Sequence, residues 1–86
     1  MYKDLKVSRS TEPKKLAGTI KYHLDNNTTC YVYALGQQAI WIAVKGLALL
    51  KPLFSVPYKC TIEYFNEVKE DQNISGIKFT VTRDLG

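Results

Sequence analysis

The chain has 86 residues, 45% hydrophobic and 23% charged, with a formal net charge of +4 and a pI near 9.1. That length holds a single domain, residues 1–86, and no second core; it buries roughly 60–65% of the surface its unfolded form exposes. A disordered, collagenous or disulfide-scaffold chain is excluded by composition, and a membrane span by Gln37, Gln38, Lys45 and Pro52, which interrupt the longest apolar run.

In chain order, Leu5-Lys6-Val7-Ser8 alternates apolar and polar residues and predicts a short first strand. Ser10-Thr11-Glu12-Pro13 offers a hydroxyl cap and a proline suited to a first helical turn. Leu16, Ala17, Ile20 and Leu24 then recur at helical spacing until Asn26-Asn27, a stop. Thr29 to Leu35 is rich in β-branched and aromatic residues and predicts the second strand, with a turn at Gly36. A second helix runs from about Gln38 to Leu50 or slightly beyond, ending near Pro52 and Pro57.

Tyr58 to Asn66 alternates again, with Cys60, Ile62 and Tyr64 on one face and Lys59, Thr61, Glu63 and Phe65 on the other. After a polar turn, Ile77, Phe79 and Val81 supply the inner face of the last strand. The order is β-α-β-α-β-β. Right-handed crossovers place both helices on one side of the sheet, an α/β chain folded as an α+β two-layer sandwich with one face open. Lys6, Ser8, Tyr31, Tyr33, Thr61, Lys78, Thr80 and Thr82 fall on that open face.

The second helix is apolar nearly all round: between Tyr31 and Lys51 the only charge is Lys45. One sheet cannot cover such a helix. A second copy of the chain is the expected cover, with Trp41, Val44, Leu47 and Ala48 at the dimer interface.

Charge is unevenly placed. Residues 1–21 carry Lys3, Lys6, Arg9, Lys14, Lys15 and Lys21 against Asp4 and Glu12, whereas residues 63–71 carry Glu63, Glu67, Glu70 and Asp71 against Lys69. His23 is the only histidine, and Cys30 and Cys60 sit in apolar strand-like runs as small buried hydrophobes. Paired carboxylates, metal-ligand spacing and a phosphate-cradling glycine loop are missing. The expectation is a non-enzyme with no cofactor, metal, membrane association or small-molecule substrate. Cysteine usage and the lack of an apolar leader fit a reducing, cytoplasmic compartment, with nucleoid association as an extension.

The elements in this order resemble the stage V sporulation protein S family, a branch of the Alba-like nucleic-acid-binding proteins. The matching pieces are Leu5-Lys6-Val7-Ser8, Pro13 with Leu16-Ala17-Gly18, Gly36, Ala43-Val44-Lys45, Cys60-Thr61-Ile62 with Phe65, and Gly76 before Ile77-Lys78. The resemblance implies a mixed four-stranded sheet of order 1-2-4-3 backed by two helices, and a homodimer formed near the second helix. It also implies DNA or RNA binding through the loops entering both helices and the hairpin of the last two strands. Carried over by position, the first loop keeps Arg9, Lys14 and Lys15. The second has Gln37 and Gln38 where Alba proteins favour arginine, and Trp41-Ile42 replaces an Asn-Gln pair usual in the sporulation branch. The hairpin is acidic and ill suited to a phosphate-lined minor groove.

Arg9, Lys14 and Lys15 are therefore expected either to contact phosphate or to form a solvated basic face. Lys45, four residues after Trp41, can stack on the indole, although a lysine snorkelling from an interface is the commoner use. Tyr31 and Tyr33, framed by Lys6 and Lys78, have the makings of a base-stacking platform, yet strand propensity alone accounts for tyrosines there.

Overall fold

In the computed structural model, which describes residues 1–84, the chain runs β1 (Tyr2–Val7), α1 (Pro13–Asp25), β2 (Thr29–Leu35), α2 (Gln37–Ala48), α3 (Leu50–Phe54), β3 (Tyr58–Lys69) and β4 (Gln72–Arg83). The strands form one mixed sheet in the order β1-β2-β4-β3, with β1 parallel to β2 and the other pairs antiparallel. Helix α1 packs on β2 and β4, α2 on β1 and β2, and the two helices pack on each other, so both lie on one sheet face. This is the expected two-layer Alba-like architecture and strand order.

Period-two alternation does the sorting in β2: Cys30, Val32 and Ala34 are buried while Thr29, Tyr31, Tyr33 and Leu35 are half-exposed. The core gathers Ile20 and Leu24 from α1, Val32 from β2, Leu50 from α3, and Phe79 and Val81 from β4. Burying each such side chain contributes about 1.5–3 kcal/mol. The surface ion pairs Lys15–Glu12, Lys59–Asp84 and Lys78–Glu63 contribute about 0–1 kcal/mol each. Apolar burial therefore holds the fold.

Two local expectations are corrected. No side chain caps α1: Glu12 occupies the extended N-cap position and Pro13 the first helical one. The hydroxyls expected to cap it close the preceding loop instead. The Ser8 N–H donates to Thr11 Oγ1 (2.9 Å), the Thr11 N–H to the Ser8 carbonyl (3.1 Å), and the Ser10 N–H to Ser8 Oγ (3.3 Å). Short polar side chains compete for backbone groups in this way. The second helical region also divides. The Leu49 N–H is shared between the Lys45 and Gly46 carbonyls, and α3 then carries Pro52 in its first turn, where no N–H is required. Ser55, in the left-handed region at φ 53°, ends it.

Strands β3 and β4 pair over their full length, but β4 leaves β2 at Gly76, opposite Leu35. From there the hairpin continues as a free arm to a two-residue turn, Glu70-Asp71, with both residues at positive φ (52° and 62°) as a type I′ turn requires. Gly76 sits where the arm begins and is buried there. A Cβ on it would meet the Ala34 carbonyl oxygen at 2.6 Å, Leu35 Cδ2 at 2.7 Å and Phe65 Cε1 at 2.9 Å. The Phe65 ring covers the glycine that its cross-strand partner position supplies.

Gly76→Ala should therefore cost about 2–4 kcal/mol, because backbone rather than a flexible tip must yield. Gly18→Ala, in mid-α1 with nothing within 4 Å of the added Cβ, should gain about 0.5–1 kcal/mol. Thermal melts of both variants check this; a Gly76→Ala protein melting at the wild-type temperature would contradict the close approach.

Candidate nucleic-acid interface

Parallel pairing sets Val7 beside Ala34 and so brings the C-terminal ends of β1 and β2 to one end of the sheet. The chain leaves Val7 into the hydroxyl-closed loop and leaves Leu35 through Gly36, whose φ of 88° and ψ of 159° suit only glycine. Helix α2 then starts at Gln37 with no side-chain cap and no acidic residue in its first turn. Its first intrahelical donor is the Ile40 N–H, bonded to the Gly36 carbonyl. The preceding N–H groups carry the positive end of the helix dipole outward.

An open cleft of about 510 Å³ joins the two loops, lined by Val7, Ser8, Arg9, Leu35, Gln37 and Gln38. Arg9, Gln37 and Gln38 are thus brought together. Lys14 and Lys45 form a second group beside Glu12, Pro13 and Leu49 in a shallow depression of about 310 Å³ on the helical side. Gly46 is the reason: a Cβ there would come within 2.9 Å of Leu16 Cδ2 and 3.3 Å of the Pro13 carbonyl, so α2 lies directly on the first turn of α1. Lys15 stands apart, exposed and 3.8 Å from Glu12. Among the described residues no ring contact joins Lys45 to Trp41; the helix crossing directs Lys45 toward α1.

Of the residues expected at a dimer interface, Trp41 is 63% and Val44 42% exposed, and Ala48 is exposed. Leu47 is different. Only 6% exposed, it belongs to the core of its own chain, and its carbonyl accepts the Tyr58 hydroxyl at 2.9 Å. It reaches the surface as the floor of an apolar depression of about 250 Å³ between α2 and β3, walled by Val44, Ala48, Cys60 and Ile62. The helices leave most of β3 uncovered: Ile62 and Tyr64, on the helix side of the sheet, are 65% and 63% exposed. Alternation identified their common face but not that this face stays open.

On the opposite sheet face, Lys78 Nζ stands 4.5 Å from the Tyr31 ring centre and 5.7 Å from that of Tyr33, with Glu63 at 3.6 Å. Phe65 meets Tyr33 edge-on at 5.6 Å. Sequence reasoning missed Phe65 and Leu35 here, because their closeness comes from the Gly76 register.

Cys30 and Cys60 both oppose Val81, from β2 and β3, with β4 between them. Burial pushes the Cys30 thiol up to about 11 and raises that of Cys60 as well. Tyr58 is raised by burial first and by charge on Cys60 second. Among the described residues no helix is long and apolar enough to cross a membrane.

The family model for stage V sporulation protein S matches residues 3–84. Among solved structures, Alba from Thermoplasma volcanium aligns with a TM-score of 0.71 at 18% identity, covering 94% of this chain and 100% of that one. At that identity the likeness is one of fold. No curated protein matches the chain.

The Cys30 shift implies alkaline sensitivity. The neutral thiol is favoured in the folded state, so its contribution is complete below the ordinary value of 9.0 and is lost as pH rises to about 11. Two units correspond to about 2–3 kcal/mol. Urea unfolding at pH 8 and pH 10.5 should show that loss in wild type and a flatter dependence in Cys30→Ala; equal slopes would remove Cys30 as the cause.

Proposed function

The chain belongs to the stage V sporulation protein S family and has the Alba-like fold, and from that premise we propose that it is a small homodimeric nucleic-acid-binding protein of modest affinity and little sequence preference. The observation that carries this reading is the cleft where Arg9 meets the uncapped start of α2. A guanidinium beside outward-facing backbone N–H groups is what a phosphate requires: a bidentate cation and fixed donors. Lys14 and Lys45 offer a second contact on the helical side.

The arm supports one kind of nucleic acid over another. It projects from the same end of the sheet as the cleft, past the Leu35–Gly76 pair, and carries Glu67, Glu70 and Asp71. A duplex broad enough to span the loops would press phosphates against those carboxylates. A flexible single strand can follow Arg9 and the start of α2 while keeping its phosphates clear of them. RNA or single strands are therefore favoured over wrapped duplex.

The dimer supplies the cover that α2 and β3 lack. Val44, Ala48 and Ile62 line one apolar depression between α2 and β3, and Trp41 and Tyr64 are exposed on the same two elements, apolar surface of the kind that marks an interface. A second copy related by a two-fold axis buries the same surface on both protomers. The rival reading is a protein-interaction module that keeps the fold without binding nucleic acid; Gln37, Gln38 and the acidic arm favour it.

Two measurements follow. In a salt titration with labelled single-stranded and duplex probes, wild type should bind single strands at micromolar Kd in low salt. Three to five phosphate contacts per dimer give a slope of log K against log salt of roughly −2 to −3.5 for single strands. Arg9→Glu combined with Lys14→Glu should weaken binding about tenfold or more; unchanged affinity, or no wild-type binding at low salt, would favour the rival. By sedimentation, wild type should be a dimer and Val44→Glu, altered at an exposed position, a folded monomer. A wild-type monomer at high micromolar concentration would end the dimer reading.

A further inference from the structure

The cleft is continuous with a second concavity on the open sheet face. Val7 and Leu35 line both. The second concavity has a volume of about 370 Å³, with Tyr33, Leu35 and Phe65 as its apolar wall and Asp4, Lys6 and Glu67 at its rim. Its wall is held in place. Phe65 is pinned over Gly76 and stands edge-on to Tyr33 at 85°, while the neighbouring ring of Tyr31 is occupied by the Lys78 ammonium, itself held by Glu63. Lys78 stands nearer to Tyr31 (4.5 Å) than to Tyr33 (5.7 Å), so of the two tyrosine rings Tyr33, which lines the concavity, is the less covered.

Size and chemistry narrow the occupant. About 370 Å³ lies at the small end of ligand sites, roughly 300–1,000 Å³, and suits one planar heterocycle with part of its sugar rather than a peptide segment or a helix. A purely apolar guest would leave the carboxylates of Asp4 and Glu67 facing it without donors. A planar guest with N–H groups on its edge would satisfy them. Among the described residues Lys6 and Arg9 have no ion-pair partner, and they stand on the side of this concavity from which a phosphate chain in the cleft would enter.

We propose that this concavity takes one unpaired nucleobase bearing an exocyclic amino group (adenine, cytosine or guanine), stacked on Tyr33 beside the perpendicular ring of Phe65, with its polar edge on Asp4 and Glu67. Its phosphates run past Lys6 to Arg9. The proposal rests on the nucleic-acid reading above and adds to it a base-contacting site, and with it a preference among bases. Uracil and thymine, which present carbonyls where the other bases present an amino group, meet two carboxylates and are disfavoured.

The test uses full-length protein and fluorescent ten-residue oligonucleotides of adenine, cytosine or uracil, beside a duplex of the same length. Wild type should bind the adenine and cytosine strands at least about fivefold more tightly than the uracil strand. Tyr33→Leu should lose roughly ten- to a hundredfold on the amino-bearing strands, the range expected for one stacked base, and little on duplex. Asp4→Asn should narrow the difference between cytosine and uracil. Tyr31→Leu, whose ring is already covered by Lys78, should leave affinity within about twofold, and melting curves establish that each variant is folded. If Tyr33→Leu binds every strand as wild type does while Arg9→Glu loses binding, the stacking site is overturned and the cleft stands. Equal wild-type affinity for all three strands overturns it too. If wild type binds no probe at low salt, the cleft and the stacking site fall together.

Discussion

The parallel pairing of β1 with β2 is the constraint from which the other surfaces follow. A parallel neighbour can be reached only by a crossover, so α1 must span the sheet and return the chain to the end where it began. Both strands then finish side by side, and the segments leaving them, the Ser8–Thr11 loop and Gly36, share one edge. With β1 on one side of β2, β4 takes the other, and β3 is left at the rim. Helices seated over β1, β2 and β4 do not reach far enough to cover it. One pairing thus accounts for the cleft, for the apolar surface along α2 and β3, and for the bare opposite face.

Much of this was legible in the residues themselves. The alternation of Thr29–Leu35 and the helical spacing of Leu16, Ile20 and Leu24 mark elements whose inner faces proved buried. The strand order came with the family resemblance, since no periodicity says which strands are neighbours. Features that depend on competition between local partners were hidden. The Ser and Thr hydroxyls before Pro13 could cap a helix or close a loop, and the loop won. Leu47 and Val44 look alike on an apolar helix; only the crossing at Gly46 turns one inward and leaves the other outside. Of the candidate contact residues, Arg9, Gln37 and Gln38 meet because their loops adjoin. Lys14 and Lys45 meet for a reason no sequence pattern displays, the close approach of two helices.

The charges are also arranged by distance. Five residues of strand, at about 3.4 Å each, carry Glu70 and Asp71 roughly 17 Å beyond the last β2–β4 pair. At physiological salt, with a Debye length of about 8 Å, the arm's tip exerts little repulsion on a polyanion seated at Arg9. At ~0.01 M salt the Debye length grows to about 30 Å and the tip is felt. In the proposed binding mode the basic cleft and the acidic arm would then act on the same ligand with opposite sign, which would limit how far low salt can tighten binding and keeps the net charge of +4 from implying strong attraction.

Beyond Gly76 the strands of the arm pair, among the described residues, only with each other, rung by rung. Side chains alternate between its two faces with every residue, so removing one opposed pair, such as Val68 with Asn73, would shift the reach of the arm by one rung and reverse the faces of everything distal to the cut. Removing two successive rungs would shorten it while leaving each remaining side chain on its original face. The length of the arm is therefore quantised in steps of two rungs. Variation in reach among chains with this fold can proceed in those steps without disturbing the body to which the arm is attached.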